Sequence, residues 1–133
     1  MEEKTLIILK PDAVERGLIG RILSRFEDRG FKLIDLRLVT LSEGKAREFY
    51  SIHADKPFFG DLIEFITSGS VVAGILQGVD AIRVVRLMVG STKSPEAESG
   101  TIRGDYGLGT TDNVIHASDS SSSFKRESEL IFS

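Results

Sequence analysis

His116 is one of two histidines in a chain without cysteine. It lies in the run Asn113-Val114-Ile115-His116-Ala117-Ser118-Asp119-Ser120, where apolar residues precede the imidazole and small or polar ones follow. A strand can hold the first half of that run while a substrate reaches the ring. A neutral imidazole near pH 7 is a competent nucleophile. Groups suited to an anionic substrate stand elsewhere: Lys10 closes an apolar run, Arg86 precedes a long loop, and Thr92, Arg103 and Asn113 follow. Guanidinium binds polyphosphate bidentately, ammonium acts as a point charge, and hydroxyl and amide donors complete such a site. Any one of these charges, taken singly, reads as a solvated surface group. Lys10 fits that reading least, because it ends an apolar strand immediately before Pro11.

Phe58 and Phe59 follow Lys56-Pro57. Phe59 reads first as core. An aromatic at such a loop-to-helix junction can also stack on a nucleobase, which contributes about 1–3 kcal/mol and hardly distinguishes bases. His53 reads as structural or as a pocket wall. The two histidines, without cysteine, make no recognisable metal motif. A Gly-x4-Gly-Lys-Ser/Thr phosphate loop is missing. Gly107-x-Gly109 lacks the third glycine of a dinucleotide fingerprint and follows no strand. Gly17-Leu18-Ile19-Gly20 has the form of an RNA-clamping loop, but Leu18 and Ile19 also fit the stripe of a helix and are assigned to the core.

The elements that must position these groups follow from periodicity. Thr5 to Leu9 and Val71 to Leu76 are continuous apolar runs and predict two central strands. Proline after Lys10 ends the first. Leu18, Ile19, Ile22, Leu23 and Phe26 recur at helical spacing, with Gly30 as the residue past the helix end. Ile34, Leu36 and Leu38 alternate with Asp35 and Arg37, which predicts a strand with one wet face. Ser42 can cap a helix carrying Ala46, Phe49 and Tyr50. Leu62 to Ile66 and Ala81 to Met88 predict further helices, the second closed by Gly90. Periodicity disappears from Gly90 to Asp112, and a loop that long inside a compact domain is usually functional or disordered. Val114 to His116 predicts a short strand and Ser120 to Phe132 a last helix. This order suggests an α+β sandwich with helices on one face of a mainly antiparallel sheet.

Composition narrows the classes. At 133 residues the chain is long enough for one domain with its own core. No apolar run approaches the roughly 20 residues of a membrane span. Met1-Glu2-Glu3-Lys4 is acidic and runs into a strand, unlike a signal peptide. The lack of cysteine fits a reducing compartment. A net charge of −3 argues against broad nucleic-acid binding but leaves room for a small basic pocket.

The residues closely resemble a known family. The octapeptide around His116 is similar to the active-site signature of nucleoside diphosphate kinases. The likeness extends through Leu9-Lys10-Pro11-Asp12, Arg16-Gly17-Leu18-Ile19-Gly20, Arg25-Phe26-Glu27, Arg29-Gly30-Phe31, Lys56-Pro57-Phe58-Phe59, Ser68-Gly69 and Gly100-Thr101-Ile102-Arg103-Gly104-Asp105. The resemblance implies an α+β, ferredoxin-like βαββαβ sandwich, a four-stranded antiparallel sheet covered by helices, in one domain over residues 1–133. It implies ping-pong transfer of the γ-phosphoryl group of a nucleoside triphosphate, typically ATP, to a nucleoside diphosphate through a phosphohistidine on His116. Glu127 and Ser118 would orient the imidazole. Lys10, Arg86, Thr92 and Arg103 would hold the phosphates, and Asn113 with Lys10 would contact the sugar 3′-hydroxyl. Phe58 would stack on the base and Tyr50 line the pocket wall. Mg2+ would arrive bound to the phosphates, with no dedicated protein ligands. Loose base selectivity, maintenance of nucleotide pools, a cytoplasmic location and a homo-oligomer, hexamer or tetramer, without membrane or specific nucleic-acid partners, complete the expectation.

Four positions depart from the family's usual pattern. Ala117 stands for glycine, tolerable where the backbone is extended. Ser70 replaces a proline, Pro95 lies one position late, and Thr110 replaces an apolar residue. The chain also stops at Ser133, about where many relatives continue. Two other readings compete. An RRM-like nucleic-acid module shares the outline of the sandwich, but its central strands would carry stacking aromatics, and Leu6 to Leu9 and Val71 to Leu76 have none. A catalytically dead scaffold would have lost catalytic positions, and none is replaced.

Overall fold

The computed structural model describes residues 2–132; the chain's start at Met1 and its stop at Ser133 lie outside them. Four strands, β1 (Glu2–Leu9), β2 (Lys32–Val39), β3 (Val71–Val79) and β4 (Ile115–Ala117), pair in the order β2-β3-β1-β4, every neighbour antiparallel. Helices α1 (Pro11–Glu15) and α2 (Ile19–Asp28) follow β1. Helices α3 (Glu43–Phe49) and α4 (Phe59–Ile66) lie between β2 and β3. Helices α5 (Ala81–Val89) and α6 (Ile102–Tyr106) precede β4, and α7 (Ser121–Ile131) follows it. This is the expected α+β, ferredoxin-like arrangement.

The helices cover both faces of the sheet, which corrects the one-face expectation. Neighbouring strand residues point to opposite faces, so a continuous apolar run needs cover on both. Ile7 and Leu9 pack with Ile22 and Phe26 of α2 and Val85 and Val89 of α5. Leu6 and Ile8 pack on the other side with Ala46 and Phe49 of α3, Ile63 and Ile66 of α4, and Ile131 of α7. Burying each of these four β1 side chains stabilises the fold by about 1.5–3 kcal/mol.

β2 forms where its alternation predicts, but its apolar face is not covered. Ile34, Leu36 and Leu38 are 43%, 45% and 65% exposed. The strand lies at the sheet edge, and the register shifts between Leu33 and Asp35, a bulge that alternation alone does not reveal.

Local chemistry sets the helix ends. Gly30 has φ of 104°. Its amide donates to the carbonyl of Glu27 while the amide of Phe31 donates to that of Phe26, the double bond that ends a helix on a left-handed residue. Ser42 and Ser120 cap α3 and α7 by accepting the amides of Lys45 and Ser123, as their positions predict. The short helix α1 is an addition: Pro11 stops β1 but also starts a helix, where its missing donor costs nothing. The Gly90–Asp112 segment is not wholly irregular either. It holds α6 and a 3-10 turn over Ser94–Glu96, both too short to leave a periodic pattern.

Gly78 of β3 faces the ring of buried Phe31, and a Cβ there would run into that ring. Gly78→Ala should lower stability by about 1–3 kcal/mol through overpacking, read as a lower denaturant midpoint at constant slope.

Candidate active site

Antiparallel pairing puts His116 opposite Ile8, on the sheet face covered by α3 and α7. The edge of the Phe49 ring meets the imidazole, with centroids 4.9 Å apart at 74°. Glu127 reaches in from α7, its Oε1 lying 3.1 Å from His116 Nε2 and accepting the Ser118 hydroxyl at 2.7 Å. A carboxylate beside Nε2 keeps the proton on that nitrogen and leaves the Nδ1 lone pair free. The His116 side chain is 21% exposed, so the ring is held and yet reachable. Burial, joined by the nearby Lys10 and Arg103 charges and opposed by Glu127, lowers the His116 pKa below its ordinary value. The imidazole is therefore neutral at pH 7. Glu127 stays ionised: burial opposes this, but its bonds to His116 and Ser118 win and hold its carboxyl below the usual range.

Lys10 lies just past the end of β1 and is 6% exposed. Its ammonium donates to Asn113 Oδ1 at 2.7 Å. Asn113 Nδ2 donates in turn to the carbonyls of Thr92 (2.9 Å) and Thr110 (2.8 Å), so this one amide ties the long loop to the strand end. Burial, with the Arg103 charge adding to it, pulls the Lys10 pKa down to about 8.

Arg103 is 6% exposed and donates to the carbonyls of Gly90 (3.2 Å) and Ile115 (2.6 Å), while its buried Nε has no protein partner. Burial, then the charge of Arg86, lowers its pKa to about 10. Arg86, on the last turn of α5, donates to the Ala117 carbonyl at 3.1 Å. The loop that delivers Arg103 is pinned: Thr101 caps α6, and Asp105 joins Arg25 of α2 at 2.6 Å. Lys10 and Arg103 are buried cations whose charged forms burial disfavours, and among the described residues neither forms an ion pair with a carboxylate. A polyanion would supply that partner.

A line of rings leads outward from Phe49. Tyr50 meets its edge at 5.1 Å, His53 lies 6.4 Å from Tyr50, and Phe58 lies 5.8 Å from His53. Phe58 is 42% exposed while Phe59 packs against the core, as expected of each. Tyr50 is buried, which raises its pKa. His53 lies between the rings of Tyr50 and Phe58, and burial lowers its pKa. Thr92 lies exposed on the loop, anchored through its carbonyl. The structure thus groups His116, Glu127, Ser118, Lys10, Asn113, Arg86 and Arg103 around one strand end, with Thr92 on one rim and Phe58 beyond the other.

Three contributors carry little signal in the sequence. Phe49 fits a helix stripe and so reads only as core. Arg126 donates to the carbonyls of Glu48 and Phe49, tying α3 to α7. Asp12 accepts the Val114 amide; its only signal is its place in the Leu9-Lys10-Pro11-Asp12 run.

A family model described as nucleoside diphosphate kinase matches residues 3–133. The chain belongs to the nucleoside diphosphate kinase family. It is 56% identical to the nucleoside diphosphate kinase of Staphylothermus marinus, over 98% of this chain and 92% of the relative. To that of Methanosphaera stadtmanae it is 54% identical, over 99% and 87%. The crystal structure of the Aquifex aeolicus nucleoside diphosphate kinase aligns with a TM-score of 0.97 at 46% identity, covering 100% of this chain and 96% of that one. The Halobacterium salinarum enzyme, solved in complex with CDP, gives 0.97 at 45%, covering 99% and 88%. As a nucleoside diphosphate kinase, the protein is a phosphotransferase.

The departures from the usual nucleoside diphosphate kinase pattern are absorbed locally. Ala117 lies in extended β4, where its methyl is buried. Ser70 shares a hydroxyl contact with Thr40 at 3.4 Å. Pro95 sits in the first turn of the 3-10 segment. Thr110 is exposed and contributes its carbonyl to Asn113.

Proposed function

We propose that the protein moves the γ-phosphoryl group of a nucleoside triphosphate onto His116 and then onto a nucleoside diphosphate. The carrying observation is the Glu127–His116 contact at Nε2, which leaves Nδ1 as the attacking atom beside the Lys10, Arg86 and Arg103 charges. Nδ1 donates its lone pair to the γ-phosphorus, and the bond to the β,γ-bridging oxygen breaks with its electrons leaving on the nucleoside diphosphate. The second half-reaction reverses this with a different diphosphate. Glu127 balances the positive charge that forms on the ring, and Ser118 holds Glu127. Arg86, Arg103, Lys10 and Thr92 fix the phosphates, so most of the catalysis is positioning and charge stabilisation. Asn113 and Lys10 take the 3′-hydroxyl, Phe58 stacks on the base with Tyr50 in the wall, and stacking without base-edge bonds gives loose base selectivity. Such an activity serves to maintain nucleotide pools.

A cleft of ammonium and guanidinium groups repels a bare cation but suits a metal–nucleotide complex. Mg2+ bound to the phosphates would neutralise part of their charge during transfer. We place the activity in one domain spanning residues 1–133, in the cytoplasm, without membrane or specific nucleic-acid partners. Among the described residues no helix is long and apolar enough to cross a membrane. A homo-oligomer, hexamer or tetramer, is supported by the exposed apolar edge of β2, since bare apolar edges invite pairing. Light scattering reads that mass directly.

The two half-reactions are tested by initial rates. With ATP varied at several fixed GDP concentrations, reciprocal plots should be parallel lines, whereas a ternary-complex route gives converging ones. A requirement for a ternary complex would overturn the proposal.

The pH profile is a further expected outcome. His116 must be neutral and its pKa is lowered, so kcat/KM should fall only below the ordinary imidazole range. Lys10 must be charged and its pKa is about 8 in the free protein, so kcat/KM should fall again as pH rises through about 8. Bound phosphates favour the ammonium, so the alkaline limb of kcat should lie higher than that of kcat/KM.

A further inference from the structure

Val114 is fully buried and β-branched, and its φ is +64°. Such residues avoid positive φ unless their surroundings force it. The Ile115 amide donates to the Asn113 carbonyl at 2.8 Å, closing a three-residue γ-turn of the rare, strained hand. The two arms of this turn carry Asn113, bonded to the Lys10 ammonium, and His116 one residue beyond Ile115.

Two bonds from the β1–α1 junction hold the turn. The Lys10 amide donates to the Val114 carbonyl at 2.8 Å, and Asp12 Oδ2 accepts the Val114 amide at 3.1 Å. The other carboxylate oxygen, Oδ1, is buried without a side-chain or backbone hydrogen-bond partner. Burial raises the Asp12 pKa despite the Val114 bond, so the fold keeps this carboxylate at a cost. Among the described residues Asp12 has no hydrogen bond or ion pair to the side chains of His116, Lys10, Arg86, Thr92 or Arg103. Its charge favours the Lys10 ammonium, and its bonded route to the site is the backbone amide of Val114.

We infer that Asp12 is a positioning residue: by gripping the Val114 amide it holds a strained γ-turn and so fixes where Asn113 stands against Lys10 for the sugar hydroxyl. The inference rests on the proposed role of Asn113 and Lys10 at the 3′-hydroxyl. Loss of the grip leaves a buried amide unpaired and lets the turn relax toward ordinary φ, swinging the Asn113 amide off the ammonium. Binding of a nucleotide that uses the 3′-hydroxyl should then suffer more than binding of one that lacks it. A carboxamide can still accept the Val114 amide through its oxygen, so asparagine should substitute where alanine cannot.

Calorimetry with the full chain tests this. For Asp12→Ala the dissociation constant of ADP should rise about tenfold and that of 3′-deoxy-ADP by less than about threefold, while Asp12→Asn stays within about threefold for both. If Asp12→Ala does not fold, Asp12→Ser, too short to reach Val114, takes its place with the same expected ratio. Equal losses for the two ligands, tracking a lower melting temperature, would mean that Asp12 serves only stability and would overturn the inference. So would an Asp12→Asn variant as weak as Asp12→Ala. A parent that shows the binding ratio but forms no phosphohistidine would sink the phosphotransfer reading and leave this inference standing. A parent that transfers phosphoryl while its Asp12 variants lose both ligands alike would do the reverse.

Discussion

His116→Ala should lower kcat by at least about 10^4-fold while leaving nucleotide binding within about threefold. In the proposed reaction the imidazole accepts and returns the phosphoryl group, and no neighbouring side chain could replace it in that role. Without the ring Glu127 is still bonded by Ser118 and stands behind the missing imidazole, and Lys10 is protonated at neutral pH. The side chain is not a large part of the core, so the variant should fold with a nearly unchanged melting temperature. Steady-state kinetics beside ADP titration separate the two effects. A variant with less than about tenfold loss in kcat would show that phosphoryl transfer does not pass through this ring.

Arg103→Ala should damage both activity and stability. The guanidinium lies buried between the carbonyls of Gly90 and Ile115, so its loss strips two donors from backbone that water reaches poorly. That should cost about 2–4 kcal/mol of stability. It also removes a charge that in the proposed reaction would face the transferred group, which should lower kcat/KM by about 10^2–10^3-fold. Arg103→Lys retains the charge but cannot span both carbonyls in one plane, so it should recover only part of either loss. The folded site also carries an electrostatic cost that a bound polyphosphate would relieve. The Lys10 and Arg103 pKa values lie below their unfolded values, so their charged forms are disfavoured by folding below about pH 8. A polyphosphate that binds only the folded state would restore them, so ADP should raise the melting temperature of the parent by more than it raises that of Arg103→Ala.

The chemistry is more legible in the sequence than the packing. His116 and Lys10 are polar residues at the ends of apolar runs and Arg103 stands in a long loop without periodicity, and such features are visible in one dimension; Glu127 follows only from the family resemblance. The strands β1 and β3 are equally plain, because a continuous apolar run of that length fits little besides a buried strand. Such runs also require helices on both faces, a demand that the order of elements alone does not express. β2 is harder: its alternation implies a covered face, yet the bulge at Leu33–Asp35 and its place at the edge leave Leu38 exposed. The helices α1 and α6 are each a single turn or little more, stabilised by Pro11 and the Thr101 cap rather than by a periodic stripe. The γ-turn at Val114 is invisible, since nothing about a valine between Asn113 and Ile115 announces positive φ. Phe49 and Arg126 are hidden for a different reason. Their contacts to the imidazole and to α3 join segments far apart in the chain.

The central claim is that a phosphoryl group rests covalently on His116 between two transfers. Intact-mass analysis of the protein incubated with ATP and Mg2+, then with excess nucleoside diphosphate, tests it most directly. One phosphoryl group should appear, map to the peptide holding His116, survive alkali but not acid, and vanish when the diphosphate is added. Turnover by a protein that never gains this mass, or gains it on any other residue, would contradict that claim.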